Sequence, residues 1–237
     1  MKEIGQIRKL SLWIFFVPFV AINLCLLIST NFLIFENTIL SVDQIGRSGF
    51  TIPYIDGSLS ISRASRTYPQ FLVFKPAMVI TAILLFYYWS KNNILINNFN
   101  YTSNKNYKFK LFGILSAIFL SIHAILLGVE FDIKIFKLLR RVVLLGFIIF
   151  EIIAQALLVY SLYKLKLKIN SFFNFYILKC KIFLVSTLIL VAVFSIPLLI
   201  ASGNTHFKHG LEWNYFLGVI TFYLLTKLFW KKFEKNR

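Results

Sequence analysis

Acidic side chains are scarce in this chain. It has nine Asp and Glu residues against 26 Lys and Arg residues, a formal net charge of +17 over 237 residues. Charged residues of both signs make up only 15% of the sequence, whereas hydrophobic residues make up 58%. A soluble domain typically has about 25% charged and about 45–50% apolar residues. Because one soluble core of this length could not bury so much apolar surface, the composition excludes an ordinary soluble enzyme and a disordered chain.

Cysteine is also rare, and the short motifs of the common enzyme classes are missing. Cys25 and Cys180 cannot build a disulfide framework. We expect them at different membrane depths, and therefore as two free thiols. The sequence has no P-loop, no Gly-rich dinucleotide turn, no Gly-x-Ser-x-Gly elbow and no His-Glu-x-x-His pattern. It indicates no cofactor, and the catalytic residues of any enzyme activity are unknown at this level.

Long apolar runs are what the chain has in abundance. A helix needs about 20 residues to cross a bilayer core, and six runs are long enough, at roughly 11–33, 71–90, 111–129, 142–162, 182–202 and 211–230. These runs predict helices, because a backbone in lipid must satisfy its own hydrogen bonds. The predicted fold class is all-α: a polytopic membrane bundle of six transmembrane helices that forms a single domain over residues 1–237.

The Lys and Arg residues beside these runs predict the orientation of the bundle. With the N-terminus inside, 17 of the 26 cations fall on the inner side and nine on the outer side. We therefore expect both termini in the cytoplasm, with the polar segment 34–70 as an outer loop between the first two helices. A bacterial protein of this kind would lie in the inner membrane, and a eukaryotic one in the plasma membrane or an endomembrane.

The outer side is where we expect the functional residues. It carries five of the seven arginines, and arginine presents a planar fork suited to phosphate and carboxylate. It also carries six of the nine acids and all three histidines. These outer residues are Arg47, Arg63, Arg66, Arg140 and Arg141; Glu36, Asp43, Asp56, Glu130, Asp132 and Glu212; and His123, His206 and His209.

A lipid-headgroup site is predicted in the segment that leads into the second span. On a helical turn, Arg63 and Arg66 would share a face and could grip a lipid phosphate together. The alternative is that they pair with outer acids and fix the loop to the bundle. The full candidate set for headgroup binding is Ser62, Arg63, Arg66, Arg140, Arg141, Glu212 and Trp213.

A second candidate site lies inside the membrane. Glu151 falls near the middle of the fourth span, where an ionisable residue is costly unless it is paired or protonated. Gln155 follows one turn later on the same face, and His123 in the third span is the expected partner. This set indicates either a polar clamp between helices or the gate of a small proton-coupled transporter.

Two further interpretations stay open. His123, His206 and His209 are weak metal-ligand candidates by residue type, but their spacing matches no zinc signature, and we predict no metal site. A membrane-embedded lipid hydrolase or acyltransferase would draw on outer side chains, namely Ser62, Asp56, Glu212 and the same three histidines. We expect no nucleic-acid partner, because the basic segments are short loops between spans.

The outer loop and the last span resemble those of the Frag/DRAM/Sfk group of six-span membrane proteins. In that group Ile-Ser is followed by a proline and then by a phenylalanine at the start of the second span. Here Ile61-Ser62, Pro69 and Phe74 stand in matching spacing. Glu212-Trp213 is similar to the acidic-aromatic pair that opens the group's last span. The group includes autophagy modulators, the GPI-anchor lipid-remodelling factor and the CWH-type N-terminal domain.

The chain also departs from the pattern of this group. It has Leu59-Ser60 where a proline is common, Arg63 where the autophagy modulators tend to carry an acid, and Glu151 in place of a histidine in the fourth span. The resemblance implies membrane-lipid handling: lipid remodelling, phospholipid asymmetry or the organisation of lipid-linked proteins. It implies membrane lipids as partners, leaves a membrane-protein partner open, and supplies no catalytic mechanism, so we expect a role that is not enzymatic.

Single cysteines placed in a chain without the two native cysteines test the orientation. We expect a membrane-impermeant maleimide to label a cysteine in segment 34–70 in intact cells. A cysteine in segment 164–168 should react only after the membrane is opened, because its lysines hold that segment inside. The reverse labelling pattern would invert the predicted topology.

Overall fold

The computed structural model describes residues 2–35, 38, 41, 51–100, 107–129, 134–200 and 203–231. Within these ranges the chain is helical, with no strand and one isolated bridge between Phe173 and Trp230. Short 3-10 turns cover Phe32–Phe35 and Asn170–Phe172. The α-helices are α1 (Lys2–Thr30), α2 (Pro53–Asp56), α3 (Ile61–Ala64), α4 (Gln70–Asn100), α5 (Lys108–Leu126), α6 (Lys134–Lys164), α7 (Lys166–Ile169), α8 (Phe175–Ile200) and α9 (Thr205–Phe229).

Among the described residues, five helices are long and apolar enough to cross a membrane. They are α1 and the stretches Gln70–Phe99, Lys108–Leu126, Leu138–Lys164 and Phe175–Leu198. Over the described residues, the prediction of an all-helical chain is confirmed, and these helices are compatible with a multi-pass membrane protein. The sixth predicted span falls on α9, a helix of 25 residues that is not among the five. Its first turns are polar, with His206, Lys208, His209 and Glu212, which lowers its hydropathy.

The long helices alternate in direction, so their connections gather at two ends. At one end, Asn93 of α4 accepts a hydrogen bond at 3.0 Å from the backbone N–H of Tyr107, just before α5. At the other end, Ser29 of α1 donates to the carbonyl of Ala64 in α3 at 3.0 Å. Residues 51–69, which we call the cap segment, therefore share an end with the α5–α6 turn and the start of α9. We call this the cap end.

Large aromatic side chains fill the centre of the bundle. Tyr88 and Trp89 of α4 and Tyr223 of α9 are fully buried, and the ring centroids of Tyr88 and Tyr223 lie 4.9 Å apart. Gly113 of α5 lets Trp89 come close, because a Cβ at Gly113 would stand 2.2 Å from Trp89 Cγ. Close packing of α4 on α5 therefore depends on a residue without a side chain.

The outer surfaces of these helices are apolar. Helix α8 is the least covered, and its Phe183 and Phe194 are 74% and 73% exposed. A row of exposed apolar side chains on long helices is what a lipid-facing surface requires. This surface accounts for the high proportion of hydrophobic residues that no soluble core could bury.

The two thiols are free, as predicted: Cys25 is buried in α1 and Cys180 is exposed on α8. Several charged residues assigned to the outer side lie outside the described residues, and nothing is concluded about them. They are Glu36, Asp43, Arg47, Glu130 and Asp132.

Gly113→Ala should destabilise the bundle. We expect it to lower the free energy of unfolding by about 1–3 kcal/mol, because the added methyl group overlaps the Trp89 ring. Gly5→Ala is the matched control, since nothing lies within 4 Å of a Cβ at that position. Melting temperatures in detergent check the prediction. Equal melting of the two variants would show that α4 and α5 do not pack through Trp89.

Candidate functional site

The first turns of α9 hold the cap segment. Gly57 lies against the backbone of His206 and has a φ of +59°, and a Cβ there would come within 1.7 Å of the His206 carbonyl oxygen. Only glycine fits this position. The Nδ1 atom of His209 lies 3.1 Å from the Gly57 carbonyl oxygen, and the Asn214 amide donates to the Tyr54 carbonyl at 2.7 Å. The turn at Gly57 is therefore built against α9.

Glu212 and Trp213 continue this contact one turn further along α9. Trp213 is fully buried, and its Nε1 donates to the carbonyl of Leu59 at 2.7 Å. The Glu212 carboxyl group faces the backbone N–H groups of Ile61 and Ser62. These are the first N–H groups of α3, which have no partner within that short helix. Two residues from the predicted headgroup set thus hold the cap segment in place.

The cap segment is also tied to α1 and α4. Ser60 caps α3, because its Oγ accepts the backbone N–H of Arg63 at 3.2 Å. The Ser29 hydroxyl lies 3.1 Å from the Gln70 side-chain amide, and the Cys25 thiol donates to the Gln70 carbonyl at 3.4 Å. These contacts with α1 and α4 hold residues 61–66 in one orientation at the cap end.

The two arginines of the cap segment, Arg63 and Arg66, have different surroundings. Arg66 is half-buried, and its Nη2 donates to Ser62 Oγ at 3.1 Å. Arg63 is exposed, and among the residues that the structure describes no group bonds to its guanidinium. Arg66 therefore supports the loop, whereas Arg63 is exposed, and the shared phosphate grip of the two side chains stays a prediction.

Arg63 faces an open depression of about 660 Å³ at the cap end. The wall opposite is the start of α9, which contributes two imidazoles, a hydroxyl and the helix N-terminus, where backbone N–H groups favour anions. The lining residues are Ser58, Arg63, Asn204, Thr205, His206, Phe207 and His209. Among the candidate residues from the sequence, the structure brings Arg63, His206 and His209 together here.

One acid stands beside this depression. The Asp56 carboxylate accepts the backbone N–H groups of Ser58 at 2.8 Å and of Ile52 at 3.1 Å. These bonds, led by the one from Ser58, hold the pKa of Asp56 below its usual range, and the charge of His206 acts in the same direction. Asp56 is thus an ionised loop-fixing group and not a proton donor at neutral pH.

Other predicted outer residues lie away from the depression. Arg141 is exposed on α6, and the Arg140 guanidinium sits 5.6 Å from the Phe136 ring centroid. His123 is buried in α5, where Arg140 acts on it electrostatically and its Nδ1 has no hydrogen-bond partner among the described residues. Over the same part of the chain, no three His, Cys, Asp or Glu side chains are placed to hold a metal ion.

The intramembrane acid sits in a polar cluster of its own. Glu151 of α6 is fully buried and accepts hydrogen bonds from Ser116 Oγ of α5 at 2.6 Å and from Gln155 Nε2 at 3.0 Å. The hydroxyl of Tyr223 in α9 donates to the same carboxylate. The expected partner His123 does not contact it. Sequence spacing identified Gln155 on the same helix face, but gave no sign of Ser116 or Tyr223, which come from other helices.

Lys181 is a buried ionisable residue that the sequence analysis assigned to the inner surface. It is fully buried in α8, and its Nζ donates to Thr226 Oγ1 of α9 at 2.7 Å. The same nitrogen lies 3.9 Å from the Phe222 ring centroid, a cation–π distance. The buried Tyr88 hydroxyl lies 3.2 Å from Thr226 Oγ1. Thr226 thus joins three helices.

Comparison of the chain with protein-family models, curated proteins and solved structures finds no match. A functional argument must therefore start from the geometry of this chain. Two places carry chemistry: the depression beside Arg63 at the cap end, and the polar cluster around Glu151.

Glu212→Gln should loosen the cap segment. An amide NH₂ in place of a carboxyl oxygen would face the N–H groups of Ile61 and Ser62, and leaving a buried donor without its acceptor costs about 1–3 kcal/mol. We expect trypsin to cleave after the exposed Arg63 on the order of tenfold faster. Timed digestion followed by mass spectrometry measures this rate.

Glu3→Gln is the control, because Glu3 lies at the far end of the bundle, near Lys91. Its cleavage rate at Arg63 should equal that of the wild type. An unchanged rate in Glu212→Gln would show that this carboxylate does not hold the cap segment.

Proposed function

We propose that this chain is a six-span integral membrane protein that binds the anionic headgroup of a membrane lipid at its cap end. Its role is to handle or organise lipids and not to cleave them. Both termini lie in the cytoplasm, and the chain is a member of the Frag/DRAM/Sfk group. The observation that carries the proposal is the exposed Arg63 guanidinium, to which no described residue bonds, on a depression of about 660 Å³.

The chemistry of this depression favours a phosphate group. Arg63 offers a planar fork of donors that matches phosphate oxygens. The N-terminus of α9 adds backbone N–H groups and the positive end of a 25-residue helix. Ser58 and Thr205 add hydroxyl groups at the rim. A lipid headgroup is the phosphate source favoured here, because the exposed apolar faces of the helices suit a lipid environment next to the cap end.

Charges at the opposite end support the proposed orientation. Lys164 lies 4.5 Å from the Tyr160 ring centroid, and Lys166 lies 4.1 Å from that of Tyr163. Leu167, which stands between Lys166 and Lys168, is 87% exposed. Lysines mixed with exposed aromatic and apolar groups suit the headgroup region of an anionic cytoplasmic leaflet. The cap segment then faces the outer side.

The packing of α9 supports a sixth span. Beyond its polar start, α9 buries Val219, Phe222, Tyr223 and Phe229 against the other helices. A helix surrounded by membrane-spanning neighbours needs less apolar surface than one that faces lipid. Its lower hydropathy therefore fits an inner position in the bundle.

The geometry supports a lipid hydrolase less well than it supports a headgroup-binding protein. Ser62 Oγ accepts a hydrogen bond from Arg66, and its backbone N–H is bound by Glu212. A serine nucleophile needs a histidine base within hydrogen-bond reach, and in the described part of the chain no histidine bonds to Ser62. We therefore assign Ser62 a place in the loop structure.

Arg63→Ala should weaken lipid binding. We measure binding of phosphatidylglycerol and phosphatidylcholine to the purified protein in mixed detergent micelles. The wild type should prefer phosphatidylglycerol, and Arg63→Ala should lose about tenfold or more in affinity, since hydrogen bonds to charged groups contribute about 1.5–3 kcal/mol. Arg63→Lys should fall between them, because it keeps the charge but not the fork.

Arg141→Ala is the matched control, because Arg141 is an exposed arginine that does not line the depression. It should bind as the wild type does. Wild-type binding by a folded Arg63→Ala variant, or a wild type that does not discriminate between the two lipids, would rule out the proposed site.

A further inference from the structure

A second cavity lies beside the depression at the cap end. It is a groove of about 360 Å³ between α2 and α9, and it shares His206 and Phe207 with the depression. Ser58 lines the depression, whereas Asp56, two residues earlier, lines the groove. Between these two residues, Gly57 lies against the backbone of His206. The two cavities are therefore neighbours on either side of a single turn of the cap segment.

Two polar side chains of the groove present hydrogen-bond acceptors. The Asp56 carboxylate accepts two backbone N–H groups, and because a carboxylate has about four lone-pair sites, it can accept further donors. The Asn214 amide spends its N–H donors on two backbone carbonyls, and its Oδ1 accepts no hydrogen bond from the described residues. No Lys or Arg among these residues lines the groove. The groove thus suits a ligand group that donates hydrogen bonds and carries positive charge.

Aromatic side chains complete the lining of the groove. Tyr54 is half-buried and packs edge-to-face against Trp213, with 4.8 Å between the ring centroids. Phe207 is 51% exposed on the wall that the two cavities share. Aromatic rings attract ammonium groups electrostatically. A carboxylate, an amide oxygen and two rings are therefore available to one cationic group in this groove.

The cap end presents charges of opposite sign in these adjoining cavities. Arg63 lines the depression and Asp56 lines the groove, and no described residue forms a salt bridge with either. The His206 imidazole acts on Asp56 electrostatically, but no hydrogen bond joins the two side chains. A cation and an anion held apart in this way are complementary to a ligand that carries both charges itself.

We propose that the bound lipid is an aminophospholipid, and this rests on the headgroup site proposed above. Its phosphate lies beside Arg63, and its primary ammonium group lies in the groove beside Asp56. A primary ammonium has three N–H donors, for which the Asp56 carboxylate and Asn214 Oδ1 provide acceptors. Phosphatidylserine carries both groups and keeps a net negative charge. The quaternary ammonium of phosphatidylcholine has no N–H group to donate, and it fits these acceptors less well.

A comparison of phosphatidylserine with phosphatidylglycerol tests the ammonium site. Both lipids carry one net negative charge at neutral pH, but only phosphatidylserine has an ammonium group. We measure the binding of each to the purified protein in mixed detergent micelles. The wild type should bind phosphatidylserine about fivefold more tightly, as expected for one ion pair and one cation–π contact at a surface site. Equal affinities, or a preference for phosphatidylglycerol, overturn the proposal.

Asp56→Asn should abolish the preference for phosphatidylserine. The readout is the ratio of the two affinities, so a loosened turn that weakens both lipids alike does not change it. Recognition of the serine carboxylate would give the opposite sign, because removal of the Asp56 charge would then strengthen phosphatidylserine binding. Glu3→Gln is the matched control, since Glu3 lies at the far end of the bundle near Lys91, and it should keep the wild-type ratio. An unchanged or increased ratio in Asp56→Asn overturns the ammonium site.

Arg63→Ala separates a failure of the ammonium site from a failure of the headgroup site. It should weaken the binding of both lipids, because both have the phosphate that Arg63 contacts. If it does so while Asp56→Asn keeps the wild-type ratio, the headgroup site stands and the ammonium site is wrong. If a folded Arg63→Ala variant binds both lipids as the wild type does, both proposals are wrong.

Discussion

The contact between the start of α9 and the cap segment is the interaction on which the cap end depends. Trp213 donates to the Leu59 carbonyl, Glu212 faces the first N–H groups of α3, and Gly57 allows the backbone of His206 to come close. A polar segment of about this length would otherwise need its own core. Because α9 supplies that support, α3 is placed so that Arg63 points into the depression.

The helices could be predicted from the sequence because apolar runs of sufficient length have few other stable states in lipid. All five candidate spans overlap predicted runs. The helix α9 was predicted as the last run, but its polar first turns serve the cap segment, and a count of apolar residues cannot show that double role. The short helices α2 and α3 lie in what the sequence indicated only as an ordered polar loop.

The candidate residues could be predicted from their type, but the residues that contact them could not. Glu151 was identified because an acid within an apolar run is conspicuous, and Gln155 because helical spacing places it on the same face. The partners Ser116 and Tyr223 depend on which helix faces meet, which spacing within one helix does not determine. Arg63 and Arg66 were treated alike for the same reason, although Arg66 donates to Ser62 and no described residue bonds to the Arg63 guanidinium.

Lys181 has a consequence for how the protein is assembled. At the sequence level it resembles the lysines around it, yet among the described residues its Nζ contacts Thr226, Phe222 and Phe229, which all belong to α9. During synthesis α8 emerges before α9, so the groups that surround the Lys181 nitrogen are made after it. The final position of α8 therefore depends on a helix that follows it in the chain.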